Sequence, residues 1–130
     1  MIELKVVNDK VAKEFVKETI QNFHSYVPST SSVGRRIDWI VFNKEKPVGM
    51  IGIGSSVYPP PKDILKHINM TIKEYKDNFN SFANNWRFCM REKIKNAGTQ
   101  ILKELRKQAP LHWKQKYGND LKYLITFVAG

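Results

Sequence analysis

The chain has 130 residues, enough for one domain, residues 1–130, and its content of 42% hydrophobic and 12% aromatic residues excludes a disordered segment. Its 22 lysines and arginines outnumber 12 acidic residues, and the formal charge of +10 favours a polyanionic partner, although an AT-rich genome or heat adaptation also enriches lysine. One cysteine excludes an internal disulfide, and no signal peptide or transmembrane-length apolar run is visible, so we expect a cytoplasmic protein without a membrane partner.

The first half of the chain predicts a strand, a helix and a hairpin. Asn8 or Asp9 can cap the helix, whose apolar residues recur at helical spacing. A polar loop follows, and then two runs rich in β-branched residues or glycine surround a turn. The expected elements are a strand at 2–7, a helix that includes 11–20, a loop at 24–34, and strands at 36–42 and 48–56.

The second half predicts two further strands separated by helices. Three prolines break the chain after residue 58, because proline cannot continue a β-ladder. The expected elements are a helix at 64–75 interrupted near 69–71, a strand at 84–90, a helix at 97–109, a short helix from Pro110 that Gly118 ends, and a strand at 121–128. The last strand is nearly all apolar, which predicts burial on both faces. The order β-α-β-β-α-β-α-α-β predicts an α/β sandwich with a mixed sheet.

The junction between the strand at 84–90 and the helix at 97–109 is the first candidate site. It holds, in order, Arg91, Lys93, Lys95, Asn96, Ala97, Gly98 and Thr99. Unpaired N–H groups and the helix dipole favour an anion at a helix start, and small residues let a phosphate approach the backbone. The alternative is a structural junction in which Thr99 caps the helix and Gly98 makes a close contact. The residues alone leave both alternatives open.

The polar loop is the second candidate site. His24 beside Tyr26 could supply acid–base chemistry, and the adjacent Arg35 and Arg36 could clamp a phosphate. The alternative is an exposed loop whose polar residues have no catalytic role. Of the two functional interpretations, phosphate binding by the arginines is favoured over catalysis by His24.

Other residue types in the chain predict structural positions rather than sites. The three glycines of the strand at 48–56 fit no nucleotide-binding fingerprint, and they indicate a bulge or a close approach of another backbone. His67 and His112 stand apart in the sequence without a carboxylate at ligand spacing, so no metal site is expected. The expected core residues are Trp39, Trp86, Trp113 and Cys89.

Four segments carry a resemblance to known families: FHSYVP, GRRIDWIVFNKEKPVGMIGIGSS, NNWRFCM and NAGTQILKELRKQAPLHWKQKYGNDLKYLITFV. Their order resembles the GNAT acyltransferase fold, in which a strand and the following helix start bind the pyrophosphate of coenzyme A through backbone N–H groups. Over residues 23–128 the chain is similar to the family of the Druantia anti-phage protein A. It is more distantly similar to Mom-type DNA-modification proteins, which are GNAT-like and alter adenine in phage DNA.

The resemblance implies group transfer from acetyl-CoA or a related acyl-CoA to an amine or base, on or near DNA. The residues it implies for donor binding are Arg91, Lys93, Asn96, Ala97, Gly98 and Thr99. The residues it implies for catalysis are His24, Tyr26, Asn85 and Arg87, with His24 or Tyr26 handling the proton. Arg35 and Arg36 are the expected nucleic-acid contacts.

Two departures from the family pattern favour a second hypothesis. Ala129 stands where the family has an acidic residue, and the sequence stops at Gly130 where family members continue with a further segment. A sheet that ends there is expected to lack one neighbouring strand. The alternative function is therefore a non-catalytic nucleic-acid-binding module that keeps the GNAT-like fold, and a homodimer could complete the sheet through the C-terminal strand.

Overall fold

The structure is a computed structural model that describes residues 2–23, 34–55 and 62–125, apart from the side chains of Lys62 and Trp86. The strands are β1 (Ile2–Val6), β2 (Arg36–Asn43), β3 (Lys46–Ser55), β4 (Phe82–Met90) and β5 (Tyr123–Ile125). The helices are α1 (Lys10–Phe23), α2 (Lys62–His67), α3 (Ile72–Asp77) and α4 (Ala97–Tyr117), and a 3₁₀ turn spans Phe79–Ser81.

The five strands form one mixed sheet in the order β1-β2-β3-β4-β5. The pairs β1–β2, β2–β3 and β3–β4 are antiparallel, whereas β5 runs parallel to β4. The parallel pair follows from α4, because a helix that crosses back over the sheet returns the chain to its starting end. The prediction of an α/β fold with a mixed sheet is confirmed.

Helices cover both faces of the sheet, and each face has its own apolar core. On one face α4 places Ile101, Leu105 and Trp113, all fully buried, against strand residues that include Trp39 and Ile51. Each such burial contributes on the order of 2 kcal/mol. The side chains that meet α1 on the other face are Val16, Ile20, Ile40, Met50 and Cys89. Trp39 and Ile40 are consecutive residues of β2 and point into opposite cores, as expected for a strand that is buried on both faces.

Two irregularities shape the central strands. The register of β3 against β4 shifts between Gly52 and Ile53, so that β4 holds one extra residue, Trp86, between the partners Asn85 and Arg87. A second shift lies in the β2–β3 pair, beside Gly49. A β-carbon at Gly49 would meet the carbonyl oxygen of Cys89 at 2.7 Å, so the expected close backbone approach at a strand glycine is confirmed there.

Several predicted elements have the expected type and slightly different bounds. The Asp9 carboxylate accepts the N–H of Ala12 at 2.7 Å, which confirms the capping of α1. The helix expected at 64–75 is interrupted as predicted, and Thr71 caps its second part through a reciprocal pair of bonds with Glu74. Trp39, Trp113 and Cys89 are in the core as expected, whereas the side chain of Trp86 lies outside the described part.

The prediction of two helices between residues 97 and 118 was wrong. Pro110 lies inside a single helix of 21 residues, α4, which ends where Gly118 takes a left-handed conformation. An interior proline costs about 3 kcal/mol, because it lacks a donor and its ring crowds the carbonyl of residue i−4. Leu105, Ala109 and Trp113 continue one buried stripe through the proline, and this burial offsets the cost.

The prediction that the last strand is buried on both faces is also wrong for its described part. Residues Tyr123–Ile125 are only half-buried, and β5 is the outermost strand of the described sheet. Residues 126–128 of the predicted strand lie outside the described residues. Apolar composition alone cannot separate a central strand from an outer one, because aromatic residues such as Tyr123 also stack at a sheet margin. Its ring stacks on Phe82 at 4.5 Å between centroids.

Candidate functional site

The connection from β4 to α4 begins after Met90 and ends at Ala97, the first residue of the helix. Asn96 precedes the helix in a left-handed conformation, with φ 61°, and its side chain makes no capping hydrogen bond. The N–H of Ala97 donates to the carbonyl of Ile94 at 3.2 Å. The next amides, of Gly98 and Thr99, point out of the first turn and have no acceptor within the helix.

The first turn of α4 is open at its second residue. A β-carbon built on Gly98 would meet no atom within 4 Å, and Thr99 beside it is exposed. Ala97, by contrast, is 5% exposed and fixes the turn to the core. The proposed close contact at Gly98 and the proposed cap by Thr99 are therefore both wrong. The backbone of this turn is accessible, which is the property a bound anion requires.

The electrostatics of the α4 start favour negative charge. Lys93 and Lys95 are exposed in the connection, and Ile94 between them packs against the core and holds the segment in place. The helix dipole adds partial positive charge at the same point, worth about 0.3–1 kcal/mol to an anion at an exposed site. Glu92 is directed away from this arrangement, since its carboxylate pairs with Lys46 at 3.1 Å.

Arg91 has a different environment from the one the sequence suggested. Its Nε donates to the hydroxyl of Thr19 at 2.8 Å, and its guanidinium lies over the ring of Phe15 at 4.1 Å from the centroid. A third contact is the ring of Phe23, at 5.4 Å. These bonds tie the connection to α1, so Arg91 holds the site in place while Lys93 and Lys95 face solvent.

Asn85 and Arg87 flank the extra residue of β4. In the orientation that satisfies its amide, Asn85 donates to the carbonyl of Gly52 at 2.9 Å and to that of Arg87 at 2.8 Å. Both bonds stabilise the bulge. Arg87 is half-buried and lies three residues, about 10 Å of strand, before Met90. Both residues therefore lie on β4, the strand that leads into the connection to α4.

Arg35 and Arg36 lie at the opposite end of α4. The guanidinium of Arg35 bonds to the side-chain oxygen of Asn119 and lies 4.6 Å from the ring centroid of Tyr117. Arg36 pairs with Asp38 at 2.8 Å. The 21 residues of α4 span about 30 Å, so these arginines are not brought to the candidate donor site. The carboxylate of Asp38 balances the charge of Arg36, and the contacts of Arg35 hold its guanidinium against α4 and the residue that follows Gly118.

His24 and Tyr26 lie outside the described residues. Phe23, the last described residue before them, contacts Arg91 through its ring at 5.4 Å. The chain therefore enters that segment beside the β4–α4 connection.

Cys89 and the remaining polar groups supply no further chemistry of a recognised kind. Burial raises the pKa of the Cys89 thiol, with the nearby charge of Arg91 acting weakly in the opposite direction, so the thiol stays protonated and unreactive. In the described ranges, no three His, Cys, Asp or Glu side chains cluster closely enough to hold a metal ion. Nor does a described helix have the length and apolar character needed to cross a membrane.

Sequence reasoning missed the residues that support the site from the other helix. Thr19 and Phe15, which hold Arg91, are four residues apart on α1. Their spacing places them on one helix face, but only the packing of α1 against β4 shows that this face meets Arg91. Comparison with protein-family models, with curated proteins and with solved structures finds no match to this chain.

Proposed function

We propose that the protein is a GNAT-like acyltransferase that binds acetyl-CoA or a related acyl-CoA at residues 93–99. In this proposal the acceptor is an amine or base on or near nucleic acid, DNA in particular. The observation that carries the proposal is the first turn of α4, which is open at Gly98, lacks a side-chain cap and is flanked by exposed Lys93 and Lys95. A pyrophosphate needs this combination of free N–H groups, space and positive charge.

The topology around the turn supports the same proposal. Strand β4, helix α4 and the parallel strand β5 form one continuous unit, and the site lies where β4 passes into the helix. The resemblance to GNAT proteins implies donor binding at this junction. The bulge at Trp86 bends β4 before the junction, and bulges commonly lie next to active sites, where they redirect a strand.

In the proposed mechanism the donor supplies an activated thioester. The backbone N–H groups of Gly98 and Thr99 hold its phosphates, and Lys93 and Lys95 screen their charge. Backbone N–H groups lower the barrier to transfer most when they point at the carbonyl oxygen that gains negative charge in the transition state. The amine would attack the thioester carbonyl, the C–S bond would break, and coenzyme A would leave as a thiolate that takes up a proton. His24 or Tyr26 would receive the proton that the amine loses, and Asn85 and Arg87 would orient the reacting groups from β4.

The experiment is a calorimetric titration of coenzyme A into wild-type protein and a Gly98→Leu variant. A β-carbon at Gly98 would meet nothing within 4 Å, so the variant should fold at least as stably as the wild type and bind at least tenfold more weakly, about 1.4 kcal/mol. The matched control is Gln21→Leu, which places the same side chain on an exposed position of α1. Unchanged affinity in the folded Gly98→Leu variant removes the turn from the proposal.

A second candidate function is a non-catalytic nucleic-acid-binding module. The formal charge of +10 favours it, and so does the exposure of lysines on both long helices, such as Lys13 and Lys17 on α1 and Lys103 on α4. This function predicts DNA binding that weakens steeply with salt and is the same in Gly98→Leu as in the wild type. Coenzyme A would then have no effect on stability.

A homodimer through the C-terminal strand is compatible with either function. β5 has a neighbour on one side only in the described sheet, so a second copy could pair with its outer edge. Sedimentation equilibrium of the purified chain tests this, since a monomer across the micromolar range contradicts it.

A further inference from the structure

A wide cavity among the described residues lies away from the α4 start, where β1 leads into α1. It has a volume of about 800 Å³ and opens between α1 on one side of the sheet and the last turns of α4 on the other. Its lining includes the aliphatic residues Val6, Val16 and Ile37, of which Val16 and Ile37 are buried. Ligand sites in proteins typically have volumes of roughly 300–1,000 Å³, so this cavity is large enough for an organic molecule rather than a single ion.

The walls of this cavity carry an excess of positive charge. Lys13 and Lys17 are exposed on α1, one helical turn apart, and Lys116 reaches in from α4, where it donates to the carbonyl of Arg36 at 2.7 Å. Arg36 is balanced by its ion pair with Asp38. The remaining carboxylate of the lining is Glu14, so the lysines outnumber it and favour an anionic ligand.

One ring also lines the cavity. The imidazole of His112 lies on its α4 wall and is held edge-on by the buried Trp39, with ring centroids 5.9 Å apart at an interplanar angle of 73°. A ring fixed in this way, in a cavity that also has aliphatic lining residues, suits a ligand with a flat apolar group. The ligand that fits carries a flat ring and a phosphate.

We propose that this cavity binds a nucleotide, free or at the end of a single strand. The ring would lie beside His112, and the phosphate would lie between Lys13 and Lys17 on α1 and Lys116 on α4. His112 follows Ala97 by fifteen residues of helix, about 22 Å, so the site is separate from the start of α4. The proposal does not rest on acyl transfer, and either site could exist without the other.

The test is fluorescence anisotropy of a short 5′-phosphorylated single strand labelled at its 3′ end, with adenosine monophosphate as competitor. The double variant Lys13→Gln with Lys17→Gln removes two phosphate contacts and should weaken binding about tenfold. It should also lower the magnitude of the slope of log K against log salt concentration by about 1.4. The charge-matched control is Lys73→Gln with Lys76→Gln on α3, where all four positions of the two pairs are exposed. The control should leave both quantities close to their wild-type values.

A second matched pair locates the ligand within the cavity. Gln115→Glu adds a negative charge to the α4 wall, and Gln100→Glu adds the same charge to the first turns of the same helix. Gln115→Glu should weaken binding of the labelled strand several-fold, whereas Gln100→Glu should leave it close to the wild-type value. If binding is weakened both by the α1 double variant and by Gln115→Glu on α4, the ligand lies between the two helices.

Two positive results distinguish the source of the nucleotide. Competition by adenosine monophosphate indicates a free nucleotide site, and a preference for the 5′-phosphorylated strand without such competition indicates a strand end. The proposal is overturned if the labelled strand does not bind, or if the α3 control weakens its binding as much as the α1 pair does. It is also overturned if Gln115→Glu and Gln100→Glu weaken binding of the strand equally.

Discussion

At the residue scale, Gly49 of β3 and Gly98 of α4 have opposite environments. A β-carbon at Gly49 would lie 2.7 Å from the carbonyl oxygen of Cys89, whereas one at Gly98 would meet nothing within 4 Å. We expect Gly49→Ala to lower the free energy of unfolding by about 1–3 kcal/mol through overpacking. Gly98→Ala should raise it by up to about 1 kcal/mol, because alanine is the better helix former.

Urea unfolding of the two variants measures both effects on one scale. The pair is its own control, because the chemical change is identical and only the surroundings differ. Equal changes in the two variants would mean that β3 and β4 do not approach as closely at Gly49 as described.

The buried thiol of Cys89 predicts a specific dependence of stability on pH. Its pKa is raised by burial above the ordinary value of 9.0, so the folded chain keeps a proton that the unfolded chain releases. Above pH 9.0 the unfolded state therefore binds fewer protons, and the free energy of unfolding falls as pH rises. Below that pH both states hold the proton, and the thiol contributes no pH dependence.

The measurement is urea unfolding of the wild type and of Cys89→Ala between pH 8 and 10, where the limiting slope for one proton is about 1.4 kcal/mol per pH unit. The wild type should lose stability faster than the variant through the upper half of that range. Parallel pH profiles would show that the thiol is not shielded from solvent.

The arginines show what residue patterns cannot predict. Arg35, Arg36 and Arg91 all appear available for a phosphate in the sequence. In the structure each has an internal partner: Asn119 for Arg35, Asp38 for Arg36 and Thr19 for Arg91. Partners up to 84 residues distant are brought near by the packing of whole elements, which no local spacing encodes.

At the element scale, α4 is the helix that organises the site. Its first turn follows the β4 connection, its buried stripe supplies five of the fourteen buried residues of one core, and Gln108 holds the edge strand β1. The side-chain nitrogen of Gln108 donates to the carbonyl of Leu4 at 3.0 Å, and its oxygen accepts the indole N–H of Trp39 at 3.0 Å. One amide therefore satisfies an edge-strand carbonyl and a fully buried tryptophan.

Gln108→Ala should lower the free energy of unfolding by about 2 kcal/mol, because it leaves two buried polar groups without this partner. Gln100→Ala on the same helix is the control, since Gln100 is exposed and its loss should change stability by less than about 0.5 kcal/mol. Chemical denaturation measures both. Similar stabilities for the two variants would contradict the role of Gln108 at the edge strand.

The elements themselves were largely predictable because their periodicities are strong. Strands β2, β3 and β4 and helices α1 and α4 lie close to their predicted positions. The error at Pro110 arose because a local rule, that proline begins or breaks a helix, was outweighed by the burial of Ala109 and Trp113 around it. The sequence predicted that this helix begins at Ala97, but only the structure shows that its first turn is open at Gly98.

At the scale of the whole molecule, charge predicts the class of partner without saying where it binds. The formal charge of +10 is a property of the sequence, but the structure divides the cationic side chains into internal and exposed groups. The arginines named above hold elements together, and lysines such as Lys93 and Lys17 face solvent at the two candidate sites. The total charge does not locate the cavity beside α1, which follows only from the assembled sheet and helices.

The central claim is that the start of α4 binds an acyl-CoA donor, and thermal unfolding with ligand tests it most directly. A ligand that binds only the folded chain stabilises it by about 2.7 kcal/mol at a hundredfold excess over Kd. The account predicts that acetyl-CoA and coenzyme A raise Tm in the wild type, and that Gly98→Leu, with at least tenfold weaker binding, reduces the stabilisation to about 1.4 kcal/mol or less. An unchanged Tm with both compounds, together with an increase produced by duplex DNA alone, would contradict the claim and favour the nucleic-acid-binding module.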